Sequence, residues 1–228
     1  MNKFLSDTGS NWPTMYTDVY EELYKNGYHP GGPRRDAYDF EYYKIDISKY
    51  DQGNILDIGC GYGYYLEKIK KQTNLNVYGI DPSTTAIQRC IEKDLTCVVG
   101  SITNTPYEDN YFDVIHSSDV LEHLHPDDRT KGLKEIYRIL KADGVFYANI
   151  STTYEQAVTH KDIITKWNLN DLHIQPLSAE QWIRSLENNG FKLHWHEIYT
   201  RPGECRDKEH GFTDGHGQCH VKLTCTKE

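Results

Sequence analysis

The residues best suited to chemistry lie in one stretch, Ile55-Leu56-Asp57-Ile58-Gly59-Cys60-Gly61-Tyr62-Gly63-Tyr64-Tyr65-Leu66. Glycines at alternate positions, between an apolar run and a helical pattern, let the backbone turn sharply and approach a ligand closely. The helix start that follows offers amide groups to a polar or anionic partner. A dinucleotide site asks for Gly-x-Gly-x-x-Gly. Here the third glycine comes one residue early and Tyr64 stands where that motif puts it. The spacing points to a smaller adenosine-bearing ligand. Val77-Tyr78-Gly79-Ile80-Asp81-Pro82 then sets Asp81 at the end of the next strand. A carboxylate there can accept hydrogen bonds from both hydroxyls of a ribose, or it can cap the following helix. Gly100-Ser101-Ile102 follows the third strand, where an adenine ring would lie. Phe112-Asp113-Val114-Ile115-His116-Ser117-Ser118-Asp119-Val120-Leu121-Glu122-His123-Leu124 runs through the fourth strand and past its end.

These segments resemble the class I S-adenosylmethionine-dependent methyltransferases, in particular their small-molecule branch. The matching residues are Asp57-Ile58-Gly59-Cys60-Gly61-Tyr62-Gly63, Gly79-Ile80-Asp81-Pro82-Ser83, Phe112-Asp113-Val114-Ile115 and Val120-Leu121-Glu122-His123, in the family's order. Leu140-Lys141-Ala142-Asp143-Gly144 is similar to the family's turn before strand five. The resemblance covers Asn54–Ile150. It implies a Rossmann-like α/β fold, a seven-stranded sheet whose last strand runs antiparallel, and S-adenosylmethionine as cofactor. It further implies that Asp57, Gly59, Cys60, Gly61 and Gly63 serve the methionine end, with Asp81 and Pro82 at the ribose. Ser101 and Ile102 fall beside the adenine, and Ser117 and Ser118 end strand four. The family usually carries an acidic residue just after strand three. Gly100-Ser101 stands there instead, so a serine oxygen or the Ile102 backbone takes that place.

The sulfonium methyl of such a cofactor is already activated, which leaves the protein to align a nucleophile with the S–CH₃ bond and exclude water. An alcohol acceptor needs a base, and an amine must be held neutral. His123, just after strand four, and His173, in Trp167-Asn168-Leu169-Asn170-Asp171-Leu172-His173, can take a proton near neutral pH. Each has a plainer role open to it, His123 bonding within a turn and His173 fixing a loop. The expected reaction is O-methylation of a small molecule or sugar. The alternatives are N-methylation of a small molecule and a non-catalytic cofactor-binding module.

The elements that must position these residues alternate regularly. Short apolar strands are read at Asn54–Ile58, Val77–Ile80, Thr96–Val99, Phe112–His116 and Val145–Ile150. Helical patterns lie between them at Tyr64–Lys71, Ser83–Lys93 and Arg129–Leu140. Strands alternating with amphipathic helices indicate a parallel sheet covered on both faces. A last helix at Ser178–Asn189 precedes two strands, Phe191–Tyr199 and His220–Thr226, expected as an antiparallel pair at one edge. Residues 1–50 are expected as an N-terminal helical cap and acceptor-side lid, and 51–228 as the cofactor-binding domain. In the cap, Tyr16, Tyr20 and Tyr24 form one stripe from Thr14 to Tyr24, and a second short helix is expected at Ala37–Lys44. The stripe and Arg34-Arg35 either pack the cap or line the acceptor pocket.

Composition excludes several classes. The 228 residues carry 25 Lys+Arg against 34 Asp+Glu, a net charge of −9. That balance disfavours wholesale binding to nucleic acid or an anionic membrane. Duplex DNA is further disfavoured because Ser117-Ser118-Asp119-Val120 stands where amino-methyltransferases of DNA carry Asp/Asn-Pro-Pro-Tyr. No stretch approaches the length of a membrane-spanning helix, and the start of the chain lacks an apolar signal core, so a cytoplasmic location is expected. The six cysteines form no CxxC pair and read as reduced thiols. His194, His196, Cys205, His210, His216, Cys219 and His220 crowd the C-terminal segment, yet no spacing there matches a zinc finger or zincin helix. No metal is expected.

Overall fold

A computed structural model describes residues 12–27, 50–153, 177–199 and 218–228. In chain order the elements are α1 (Trp12–Lys25), β1 (Asn54–Ile58), α2 (Tyr64–Gln72), β2 (Asn76–Asp81), α3 (Thr84–Glu92), β3 (Thr96–Val99), β4 (Phe112–Ser118), a 3₁₀ turn (Leu121–His123), α4 (Pro126–Ile139), β5 (Leu140–Thr153), α5 (Ala179–Glu187), β6 (Phe191–Tyr199) and β7 (Gln218–Lys227). The strands form one seven-stranded sheet in the order β3-β2-β1-β4-β5-β7-β6. Strands β1 to β5 pair in parallel, and β7 runs antiparallel between β5 and β6. This is the Rossmann-like sheet the resemblance implies. Strand order reverses between β1 and β4, and a crevice outside the strand ends at such a switch point is where ligands bind in open α/β sheets.

Side-chain alternation divides the core into two layers. Leu56, Ile58, Ile80 and Ile115 join Leu133 and Ile136 of α4 and Trp182 and Leu186 of α5 on one face. Ile55, Val77 and Val114 join Leu66 and Ile69 of α2 and Ile87 and Cys90 of α3 on the other. Phe112 and Val114 would share a face in a regular strand. A register shift between them sends Phe112 to the α4 layer and Val114 to the α2 layer. Trp182, fully buried, anchors α5, whose entry is fixed by a capping box between Ser178 and Gln181.

Some boundaries differ from the sequence reading. The helix expected from Arg129 begins at Pro126, because proline suits the first helical position and Asp127 and Asp128 complement the helix dipole. Strand five begins at Leu140, before the turn read at Lys141–Gly144, because Leu140 pairs with Phe112. The helix read at Ala37–Lys44 lies outside the described residues, as do Arg34, Arg35, His173, Cys205, His210 and His216. No helix among the described residues is long and apolar enough to cross a membrane.

Candidate active site

The glycine loop leaves β1 through three left-handed residues, Gly59 (φ 71°), Gly61 (φ 51°) and Gly63 (φ 72°). At Gly59 an added Cβ would lie 2.3 Å from Cγ2 of Val120, so this position has no room for a side chain. The loop is tied to β2 by the amides of Gly59 and Cys60, which both donate to the Ile80 carbonyl at 2.8 and 3.2 Å. Gly63 then caps α2.

Asp81 ends β2 beside this loop and is buried. Its Oδ2 accepts from the Gly61 amide at 3.0 Å and its Oδ1 from the Ser83 amide at 2.9 Å. A carboxylate oxygen carries two lone pairs, so each keeps one that can accept from a further donor, such as a hydroxyl. Burial pushes the Asp81 carboxyl up to about 7, against the two amides that favour its anion. The helix-capping alternative falls to a neighbour: Ser83 caps α3, its hydroxyl accepting from the Ala86 amide.

Asp57 faces His116 across β1 and β4, with Oδ1 and Nδ1 2.7 Å apart and both side chains buried. Burial raises the Asp57 carboxyl while His116 holds it down. The Tyr65 ring stacks on the imidazole at 4.0 Å. Cys60 turns away from the crevice: its thiol is buried with those of Cys90 and Cys97. Hydrogen bonds from Cys60 and Cys90 lower the Cys97 thiol to about 5. Cys90 also lies 3.2 Å from the Gly61 carbonyl, and its single proton serves one acceptor at a time.

The other expected cofactor residues lie at the same ends of the strands. Pro82 leads from Asp81 into the cap of α3. Ser101 bonds the Thr103 hydroxyl at 2.9 Å, and the Ile102 side chain is buried in the α4 layer against Gly132. Only the backbone of Ile102 is thereby left for a ligand. Ser117 is buried at the crevice end of β4, and its hydroxyl has no hydrogen-bond partner among the described residues. Ser118 lies within 3.4 Å of an Asp119 carboxylate oxygen and accepts from the Asn149 amide at 3.3 Å. The glycine cradle, Asp81 and the Ser117 hydroxyl together suit a ligand with a ribose and polar ends. His123 sits in the 3₁₀ turn, its ring edge-on to Tyr20 of α1 at 6.1 Å.

Several site residues were not read from the sequence. Glu21 of α1 accepts from the Ser83 hydroxyl (2.7 Å), the Thr85 amide (3.0 Å) and the Thr85 hydroxyl (2.7 Å), docking the N-terminal helix on α3. Tyr24 packs on Tyr62 of the glycine loop, which gives that part of the tyrosine stripe a packing role. On the α2 face of β4, β5 and β7, His116, Asn149, Ser151, His220 and Lys222 form a buried polar wall. His220 Nε2 is 3.8 Å from Asp119 Oδ1, and Asp119 takes a left-handed φ of 55°. The signal available was the alternation of Tyr147, Asn149 and Ser151 with the apolar Phe146, Ala148 and Ile150.

Residues 56–148 match the methyltransferase domain family. The chain is 24% identical over 201 residues to a sterol 24-C-methyltransferase of Schizosaccharomyces pombe, covering 78% of this chain and 53% of that protein. It is 30% identical over 174 residues to an uncharacterised protein of Methanocaldococcus jannaschii, covering 73% and 69%. The chain spans about half the length of the sterol methyltransferases it matches. Among solved structures, a phosphoethanolamine N-methyltransferase of Haemonchus contortus bound to S-adenosylmethionine superposes with a TM-score of 0.64 at 18% identity, over 98% of this chain and 59% of that one.

Proposed function

This chain belongs to the class I S-adenosylmethionine-dependent methyltransferases, whose cofactor is S-adenosylmethionine, and we propose that it methylates a hydroxyl of a polar small molecule or sugar. The bound cofactor supplies the activated methyl group. Asp81 takes the ribose hydroxyls, the glycine loop and Asp57 hold the methionine end, and the Ser101–Ile102 backbone borders the adenine.

The observation that carries the acceptor reading is the polar wall on β4, β5 and β7. His116, Asn149, Ser151, His220 and Lys222 give this face of the sheet a polar lining, which suits a hydroxylated acceptor better than a sterol or prenyl chain. Hydroxyl groups of a polar acceptor can bond to them. His220, with the Asp119 carboxylate 3.8 Å away, is the general base this arrangement supports best. His123 and His173 are the other histidines proposed for that role.

Turnover on a panel of hydroxylated, amine and isoprenoid acceptors, read by S-adenosylhomocysteine release, tests the proposal. Transfer to hydroxyls that falls about 10²–10⁴-fold in His220→Asn supports it. Transfer confined to amines or to carbon overturns the hydroxyl reading. A full loss in His123→Asn with His220→Asn active moves the base to His123.

A further inference from the structure

We propose that Cys60, Cys90 and Cys97 form a three-thiolate site for one soft d¹⁰ cation, and that filling it opposes cofactor binding. The three thiols come from three elements, the glycine loop, α3 and β3, and their sulfurs all lie within 4.8 Å of one another. Three metal–sulfur bonds of about 2.3 Å in a plane place the sulfurs about 4 Å apart, so the cluster needs only a small contraction. Gly79 leaves the room: a Cβ there would lie 2.6 Å from the Cys97 sulfur and 2.7 Å from that of Cys60. Thiolate donors without imidazole select soft d¹⁰ ions. Asp57 and Asp81 are buried nearby, and negative charge on either favours a cation at the sulfurs.

Coupling to the cofactor loop follows from one contact. The Cys90 thiol lies 3.2 Å from the carbonyl of Gly61, the central glycine of the loop. Coordination displaces to solvent the proton that the Cys90 thiol directs at its acceptors. The Cys90 sulfur then has no proton to donate and turns a negative charge toward that carbonyl. The Gly61 carbonyl must move, and the Gly61 amide that holds Asp81 moves with it.

Cadmium(II) added to the full chain without reductant thiols is the probe. The expected result is an ultraviolet thiolate-to-cadmium absorbance that saturates at one ion per chain. S-Adenosylhomocysteine affinity should fall at least tenfold at saturation. Cys97→Ser, checked for fold by circular dichroism, should lose the absorbance and the effect on affinity, while the double variant Cys205→Ser/Cys219→Ser keeps both. No saturable absorbance, or absorbance that survives in Cys97→Ser, refutes the site. Saturable absorbance with unchanged S-adenosylhomocysteine affinity refutes the coupling. The second half rests on the crevice being the cofactor site; failure of the metal-free protein to bind S-adenosylhomocysteine would count against that assignment, and the absorbance would still decide the metal.

Discussion

Asp57 and His116 stand opposite each other on neighbouring parallel strands, 59 residues apart in the chain, with carboxylate and imidazole 2.7 Å apart in a buried pair. The acid at the foot of the glycine loop is therefore held by strand four. Breaking a buried pair from one side leaves a charge without its partner and costs about 3–5 kcal/mol. His116→Ala should lose stability on that scale in urea unfolding, and Asp57→Asn, which keeps an acceptor for the imidazole, should lose clearly less. Equal losses would show that the pair is not the main contribution of His116.

Asp81 gives a pH dependence with a definite sign. Its carboxyl is raised from 3.8 to about 7, largely by burial. A raised acid binds its proton more tightly when folded, so this contribution to stability is full below about pH 4 and is lost as pH rises through 7. In the proposed binding mode ribose hydroxyls donate to the anion, so ligand binding should expel the proton. S-Adenosylhomocysteine affinity should rise between pH 6 and pH 8, with proton release seen by calorimetry in two buffers of different ionisation enthalpy. Asp81→Asn should bind about 10–100-fold more weakly, the loss of charged hydrogen bonds, and should show no such rise.

Glu21 should act as an acid-sensitive clasp between α1 and α3. Burial raises its carboxyl, but hydrogen bonds from Thr85 and Ser83, with Lys25 nearby, bring it down to about 2. A lowered acid stabilises the fold above its unfolded value near 4.5 and loses that contribution as pH falls toward 2. Glu21→Gln should cost about 1–2 kcal/mol at pH 7. The difference from the parent should shrink in thermal unfolding between pH 5 and pH 2. A difference that stays constant over that range rules out the charged clasp.

Gly59 tests the shape of the cradle. Alanine there meets both a left-handed backbone, worth about 1–2 kcal/mol, and the Val120 methyl 2.3 Å away. Gly59→Ala should weaken S-adenosylhomocysteine binding and stability together. Adding Val120→Ala should restore part of the stability but leave the backbone cost, a coupling that a double-mutant cycle measures. Additive losses would mean that the valine does not set the limit.

The sequence by itself determined the frame. The glycine spacing, Asp81 at a strand end and the alternation of short apolar strands with helices identify the sheet and its crevice, because each is a local pattern set by neighbouring residues. Strands β1, β3 and β6 begin and end where the sequence pattern places them. Tertiary structure alone decided the partners. Nothing local joins Asp57 to His116, Glu21 to Thr85, or Cys60 to Cys90 and Cys97, since each pair meets through strand register or helix docking across 30 to 64 residues. The same holds for the polar wall. Whether His220 and Lys222 meet Ser151 and Asn149 depends on the antiparallel register of β7 against β5, and a shift of one residue would turn every one of those side chains to the opposite face.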